Sequence, residues 1–111
     1  MTASEQAIEK EIQEKGLNAP RLTPDHIDAQ IVSEVSGRAS ELFKGAPISK
    51  ELECLTICVL TLKNGFTIVG KSACASPENY DAALGHKIAR EDARKQIWAL
   101  EGYLLRSKLA A

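Results

Sequence analysis

"LTICVLTLKNGFTIVGKSACASPENYD", Leu55 to Asp81, carries the pattern on which the fold turns. Thr, Ile, Val, Leu and Phe, residues that suit a pleated surface, flank the dipeptide Asn64-Gly65. Asn-Gly is the preferred pair of a two-residue type I′ turn, in which both central residues need positive φ. The stretch predicts an antiparallel β-hairpin over residues 52–74. Pairing Lys63 with Phe66 sets its register. One face then carries Leu55, Ile57, Val59, Thr61, Phe66, Ile68 and Cys74, and the other Cys54, Thr56, Cys58, Leu60, Leu62, Val69 and Ala73. Both faces are largely apolar, so the hairpin needs cover on both sides. Helices of the same chain can cover one face. The second face and the open edges point to a partner, most simply another copy.

Helical signals lie on either side. Ser4 to Lys15 reads as a short polar helix with Ala7, Ile8 and Ile12 to bury and Gly16 to end it. "LNAPRL" follows as a linker, completing a segment 1–21. Thr23 can cap a second helix, with Pro24 at its first position and Asp25 in its first turn. Ile27, Ile31 and Val35 then recur every four residues, which predicts a helix over 22–44 that "KGAP" ends. Beyond the hairpin, Ser76 can cap and Pro77 fits a first turn. The segment 76–109 reads as a long C-terminal helical region with soft spots at Gly85 and Gly102. The expected fold is a single α+β domain over 1–111, a two-stranded antiparallel hairpin packed with helices, and oligomeric.

Composition narrows the function. The chain has 111 residues, 44% of them hydrophobic and 26% charged, in the ordinary range for a globular domain. A net charge of -1 argues against a non-specific nucleic-acid binder. No run of about eighteen apolar residues suggests a membrane span, and "MTASEQAIEKEIQEKG" lacks the apolar core of a signal peptide. A cytoplasmic location is expected. Cys54, Cys58 and Cys74 read as reduced core thiols rather than a disulfide framework.

Catalytic options are poor. His26 and His86 have no partner at a recognised metal-ligand spacing, and in the expected register Cys74 faces away from Cys54 and Cys58. No GxSxG, Walker or GxGxxG pattern occurs. No catalytic residue, metal or cofactor is expected, and an enzyme is the weaker class. Binding options are better. Lys87, Arg90 and Arg94 recur at helical spacing with Trp98 one turn on, and guanidinium forks suit phosphate oxygens. The plain alternative is a solvated face with Glu91 paired to Arg94 or Lys95, which charge stripes on helices usually are. A second candidate is the expected helix start. Its free backbone N–H groups, the Asn79 amide and the Tyr80 ring could hold an anion and a base, or serve only as helix-start chemistry and core.

The stretch from Thr56 through "GHKIAREDARKQIWALEGYLL", with "LKNGF", "SAC" and "PEN" inside it, resembles a family of small phage and prophage proteins. That family is similar to the Thoeris anti-defence sponges. "LTPDHIDAQIVSE", Leu22 to Glu34, matches more loosely. The resemblance implies a protein that captures, without degrading it, the cyclic ADP-ribose isomer made by a bacterial TIR-domain protein. It also implies a dimer or a trimer of dimers, a place in the cytoplasm of the bacterial host, and in some members a separate site for cyclic oligonucleotides. Asn79 in "PEN" is the position that carries over best. Tyr80, Arg90 and Arg94 join it on chemistry, and Arg21 and Arg38 stand as candidates for the arginines that the N-terminal half contributes. Residues 1–21 have no counterpart in the resemblance. The rival readings are a phage protein that binds host protein or nucleic acid, an enzyme that cleaves the signal, and a sponge for cyclic oligonucleotides alone.

Overall fold

Three strands form one antiparallel sheet in the computed structural model, which describes residues 1–111. In chain order the elements are α1 (Ala3–Glu14), α2 (Pro24–Ala29), β1 (Ile31–Arg38), α3 (Ala39–Leu42), β2 (Leu55–Leu62), β3 (Thr67–Ala73) and α4 (Ala82–Ala110). Single 3₁₀ turns occupy Lys50–Cys54 and Pro77–Asn79. The sheet order is β1-β2-β3, so the hairpin of β2 and β3 gains a third strand along the other edge of β2. The architecture is α+β with one long C-terminal helix.

The single helix expected over 22–44 is therefore corrected to helix, strand and short helix. Its start is as expected. The Thr23 hydroxyl accepts the His26 N–H at 3.1 Å, and Pro24 takes the first position. The helix stops after Ala29 because a four-residue spacing is both one helical turn and two pleats of a strand. Ile31 and Val35 fit either period. The bare edge of β2 decides it, since a strand with β-branched Ile31, Val32 and Val35 satisfies a whole row of backbone groups there. Val32 sits at a bulge between the Ile31↔Leu62 and Ser33↔Thr61 pairs.

The hairpin turn also departs from expectation. Leu62 N–H donates to Phe66 O and Gly65 N–H to Leu62 O, both at 2.9 Å, so the loop holds three residues, Lys63 to Gly65. Gly65 alone has positive φ, at 87°, as in a type I turn closed by a left-handed glycine. Asn64 keeps negative φ and instead accepts the Phe66 N–H on Oδ1 at 2.9 Å. The register becomes Leu60↔Ile68 and Val59↔Val69, one residue from the expected pairing. Such a slip turns every β3 side chain over. Ile68 joins Cys58 and Leu60 on one face, Val69 joins Ile57 and Val59 on the other, and Cys74 comes opposite Cys54, its N–H donating to Cys54 O at 3.0 Å.

One face of the sheet lies under α4. Cys58, Leu60, Leu62 and Ile68 pack there against Ala89, Ala93 and Ile97, with Ile27 of α2 closing the core and Trp98 at its margin. Gly70 sets the approach. A Cβ at that position would lie 2.1 Å from the Ala89 carbonyl oxygen and 2.4 Å from the Ala93 nitrogen, so only a glycine lets the helix backbone come this close. The helix also seals the outer edge of β3. Asp92 Oδ2 accepts the Lys71 N–H and Gln96 Nε2 donates to Val69 O, each at 2.9 Å.

α4 runs unbroken through both Gly85 and Gly102 for 29 residues, about 44 Å at 1.5 Å per residue, and overhangs the sheet at its C-terminal end. Its cap lies five residues later than expected, at Asp81 rather than Ser76. Ser76 makes no side-chain cap and Pro77 opens only a 3₁₀ turn. Tyr80 and Asp81 are extended, and Asp81 Oδ1 caps the helix by accepting the Leu84 N–H at 2.9 Å.

The opposite face of the sheet is uncovered, with Val35 62% and Val69 56% exposed. The whole chain shares this openness. Its accessible surface is 7519 Å², against about 6,000 Å² for a folded monomer of its mass. Its radius of gyration is 17.3 Å, against about 13 Å for a compact domain of this length. No helix is long and apolar enough to cross a membrane.

Candidate functional site

Two concave places flank the N-terminal half of α4. The first is a cavity of about 180 Å³ where the open end of the hairpin meets the helix start. Cys54 and Cys74 form its floor, Leu84 and Ile88 its helical wall, and Asn79 and Tyr80 its rim. Gly85 keeps the helix close there, since a Cβ would fall 2.5 Å from the buried Thr56 hydroxyl. Arg38, the last residue of β1, lays its guanidinium over the Tyr80 ring at 3.9 Å from the centroid, within cation–π range. Its Nε donates to Glu53 O at 2.6 Å, which fixes the fork in place. Of the sequence-derived candidates, Asn79 and Tyr80 thus line one cavity, and Arg38, outside its lining, is joined to it through the Tyr80 ring.

The backbone amides expected to form an anion site there are already used. Asn79 N–H donates to Ser76 O and Tyr80 N–H to Pro77 O, at 3.0 and 3.1 Å. Recognition at the rim rests on side chains instead. Burial, followed by the neighbouring Cys74 thiol, pushes the Cys54 thiol up, and burial does the same to Cys58. Both therefore stay protonated and poorly nucleophilic near neutral pH.

The second place is a cleft of about 630 Å³ on the other side of α4, walled by Lys87, Arg90 and Arg94, by Asp28 and by the first turn of α1. Arg90 and Arg94 do reach it, both in carboxylate pairs. Arg90 Nε donates to Glu34 at 3.0 Å. Arg94, only 2% exposed, donates from Nε to Asp28 at 2.6 Å and from Nη1 to Glu5 at 2.8 Å and Glu91 at 3.3 Å. Burial works against its charge, but the bonds to Glu5 and Asp28 outweigh burial and hold its pKa above the usual arginine value. The same bonding lowers Glu5, chiefly through the Arg94 hydrogen bond, and lowers Asp28 against the effect of burial.

Arg21 belongs to neither place. It forks onto both Glu9 oxygens at 2.6 and 2.7 Å and ties α1 to the linker that follows. Trp98, read from the sequence as a possible stacking platform, packs against the core.

Sequence reasoning missed the polar edge of β1, because that segment was assigned to a helix. In the strand, Glu34 and Ser36 point the same way and meet His86. The Ser36 hydroxyl is hydrogen-bonded to His86 Nδ1, and His86 Nε2 lies 3.3 Å from Glu34. Alternation of Glu34, Ser36 and Arg38 with Val35 and Gly37 was the available signal. No group of three or more His, Cys, Asp or Glu side chains is arranged to hold a metal ion.

Residues 22–109, all of the sheet and nearly all of α4, match the phage protein (N4 Gp49/phage Sf6 gene 66) family, and the chain belongs to that family. The match begins after α1. Neither the curated proteins nor the solved structures give a significant match.

Proposed function

We propose that this phage protein is an anti-defence sponge, which binds a cyclic nucleotide immune signal in the host cytoplasm and holds it intact. The signal is a cyclic ADP-ribose isomer of the Thoeris type, and cyclic oligonucleotides are further candidates. The observation that carries the reading is that Asn79 and Tyr80 line one cavity while Arg38 stacks on the Tyr80 ring beside it. An amide reads a base edge, an aromatic ring stacks on its face, and a guanidinium offers a fork to phosphate. These are recognition groups, and burial keeps the Cys54 thiol behind them protonated near neutral pH.

A pocket of about 180 Å³ is smaller than the roughly 300–1,000 Å³ that small-molecule sites usually span. A whole cyclic dinucleotide would need further walls, which a second copy of the chain supplies. Support for assembly comes from the uncovered Val35, Val59 and Val69 face and from a surface about 1,500 Å² larger than a compact monomer of this mass needs. Capture of a scarce signal calls for a dissociation constant near nanomolar, about −12 kcal/mol. A preformed pocket closed between rigid subunits reaches that range by limiting the ordering cost of binding.

The test is capture. Purified protein is mixed with the cyclic ADP-ribose isomer, freed of unbound nucleotide on a sizing column and denatured, and the released compound is weighed by mass spectrometry. Intact signal in stoichiometric amount supports the sponge. A cleaved product would favour the enzyme reading, for which the Ser36–His86–Glu34 contact is the one specific observation.

A further inference from the structure

α1 is docked with its charged side inward. Glu5 and Glu9, one turn apart, reach Arg94 and Arg21, whereas Ile8 between them is 58% exposed and no residue of the helix is buried. An amphipathic helix held by burial would show the reverse. Its hold on the rest of the chain is ionic, through Glu5 to Arg94, Glu9 to Arg21 and the Met1 amino group to Asp28. Such contacts are weak near water and exchange readily for other anions.

The Arg94 contact is also incomplete. Glu5 meets Nη1 alone, and Nη2 is buried without a hydrogen-bond partner on the wall of the 630 Å³ cleft. A guanidinium edge has parallel donors spaced for two oxygens of one oxyanion, and an unpaired buried donor is costly. Lys87 and Arg90 line the same cleft and, with Arg94 and the amino-terminal Met1, set positive charge there against the carboxylates of Asp28 and Glu91. A carboxylate at the end of a helical side chain satisfies this site partially. A phosphate group, with three oxygens and more charge, would satisfy it better.

We propose that the cleft is a binding site for a phosphate or pyrophosphate group, and that α1 is an acidic strap whose Glu5 stands in for that group until a ligand displaces it. The site is distinct from the Asn79 cavity and does not depend on it. α1 lies outside the part of the chain that matches the family, so the strap is an addition to the family's domain rather than part of its core.

Inorganic pyrophosphate is the probe. Its binding to the full chain is measured by calorimetry for the native protein, Glu5→Gln and Lys87→Gln, and strap release is read as amide hydrogen exchange in residues 5–14. Glutamine at position 5 keeps the capping box that Thr2 and Glu5 form at the start of α1 while removing the charge. The proposal expects Glu5→Gln to bind about tenfold more tightly, Lys87→Gln several-fold more weakly, and exchange in α1 to quicken as the native protein is saturated. It is overturned if no variant binds pyrophosphate, if Glu5→Gln binds no better than the native protein, or if α1 stays equally protected at saturation. The Asn79 cavity is judged separately by capture of the cyclic signal, so failure of one leaves the other standing.

Discussion

The two faces of the sheet are built from similar residues and have opposite fates. Cys58, Leu60 and Ile68 are sealed under α4, whereas Val35, Val59 and Val69 on the reverse face have no covering element. Hydrophobicity alone does not decide which face becomes the core. The difference lies in one missing side chain. Gly70 lets the Ala89 and Ala93 backbone settle onto β3, and Asp92 and Gln96 then close the strand's free edge. The bare face carries Gly37, already approached by Leu42 of α3, and presents Val35 and Val69 to solvent. The assembly proposed above uses this surface.

The sharpest break of this comparison is Gly70→Ala. One methyl group placed against helix backbone cannot be relieved by a rotamer change, so a loss of about 3 kcal/mol or more in unfolding free energy is expected. Urea denaturation measures it. A loss below about 1 kcal/mol would show that α4 does not approach β3 this closely.

A glutamate scan of the two faces comes next. Leu60→Glu buries an unpaired charge under α4 and should leave the chain unfolded by circular dichroism. Val69→Glu, on the bare face, should keep the fold and shift the sedimenting mass to that of a monomer. The expected hairpin register placed these two residues together, so unlike outcomes also test the observed register. A folded Val69→Glu protein of unchanged mass would remove this face from the interface.

Smaller effects are expected at the ligand rim. Asn79→Ala deletes one amide and should weaken capture of the cyclic signal roughly 10- to 100-fold, the range for one lost buried hydrogen-bonding group. The assembly mass should not change. Equal affinity would take Asn79 out of the site.

The mildest effect concerns α1. Glu5 and Asp28 face Arg94, which holds both carboxyls below their ordinary values. The Met1 amino group, Glu91 and Thr2 are the other polar groups beside them. Carboxylates with depressed folded-state pKa values stabilise docking above their unfolded values and lose that contribution as pH falls through the depressed ones. α1 should therefore stay docked from neutral pH down to about 5 and loosen below about 4, near and under the ordinary carboxylate range. The change is expected to be small beside those above, because the Glu5 and Asp28 carboxylates keep part of their surface in water. Hydrogen exchange of α1 against pH would report it, and protection that rises on acidification would contradict the sign.

Local signals in the sequence were legible where one interaction dominated. Thr23-Pro24 starts α2 and Gly16 ends α1 with φ of 66°, because caps and left-handed glycines act within a few residues. β1 was not legible, since Ile27, Ile31 and Val35 fit two periods and only the neighbouring strand chooses between them. The turn was misassigned because Asn64-Gly65 suits a type I′ loop in isolation, whereas a three-residue loop brings Ile68 rather than Val69 under α4. Asn79 and Tyr80 were nominated from sequence and do share a cavity with one another. Of the partners of Arg94, Glu91 was legible from its three-residue spacing, whereas Glu5 was beyond reach, because it lies 89 residues away and no pattern links them.

The central claim is that the protein holds a cyclic nucleotide signal without changing it. Mass spectrometry of what heat-denatured protein releases, after incubation with the cyclic ADP-ribose isomer and removal of free nucleotide, tests it most directly. Intact signal in a fixed ratio to protein is the expected result. Recovery of a cleaved product, or of no nucleotide with either this signal or the cyclic oligonucleotides, would contradict it.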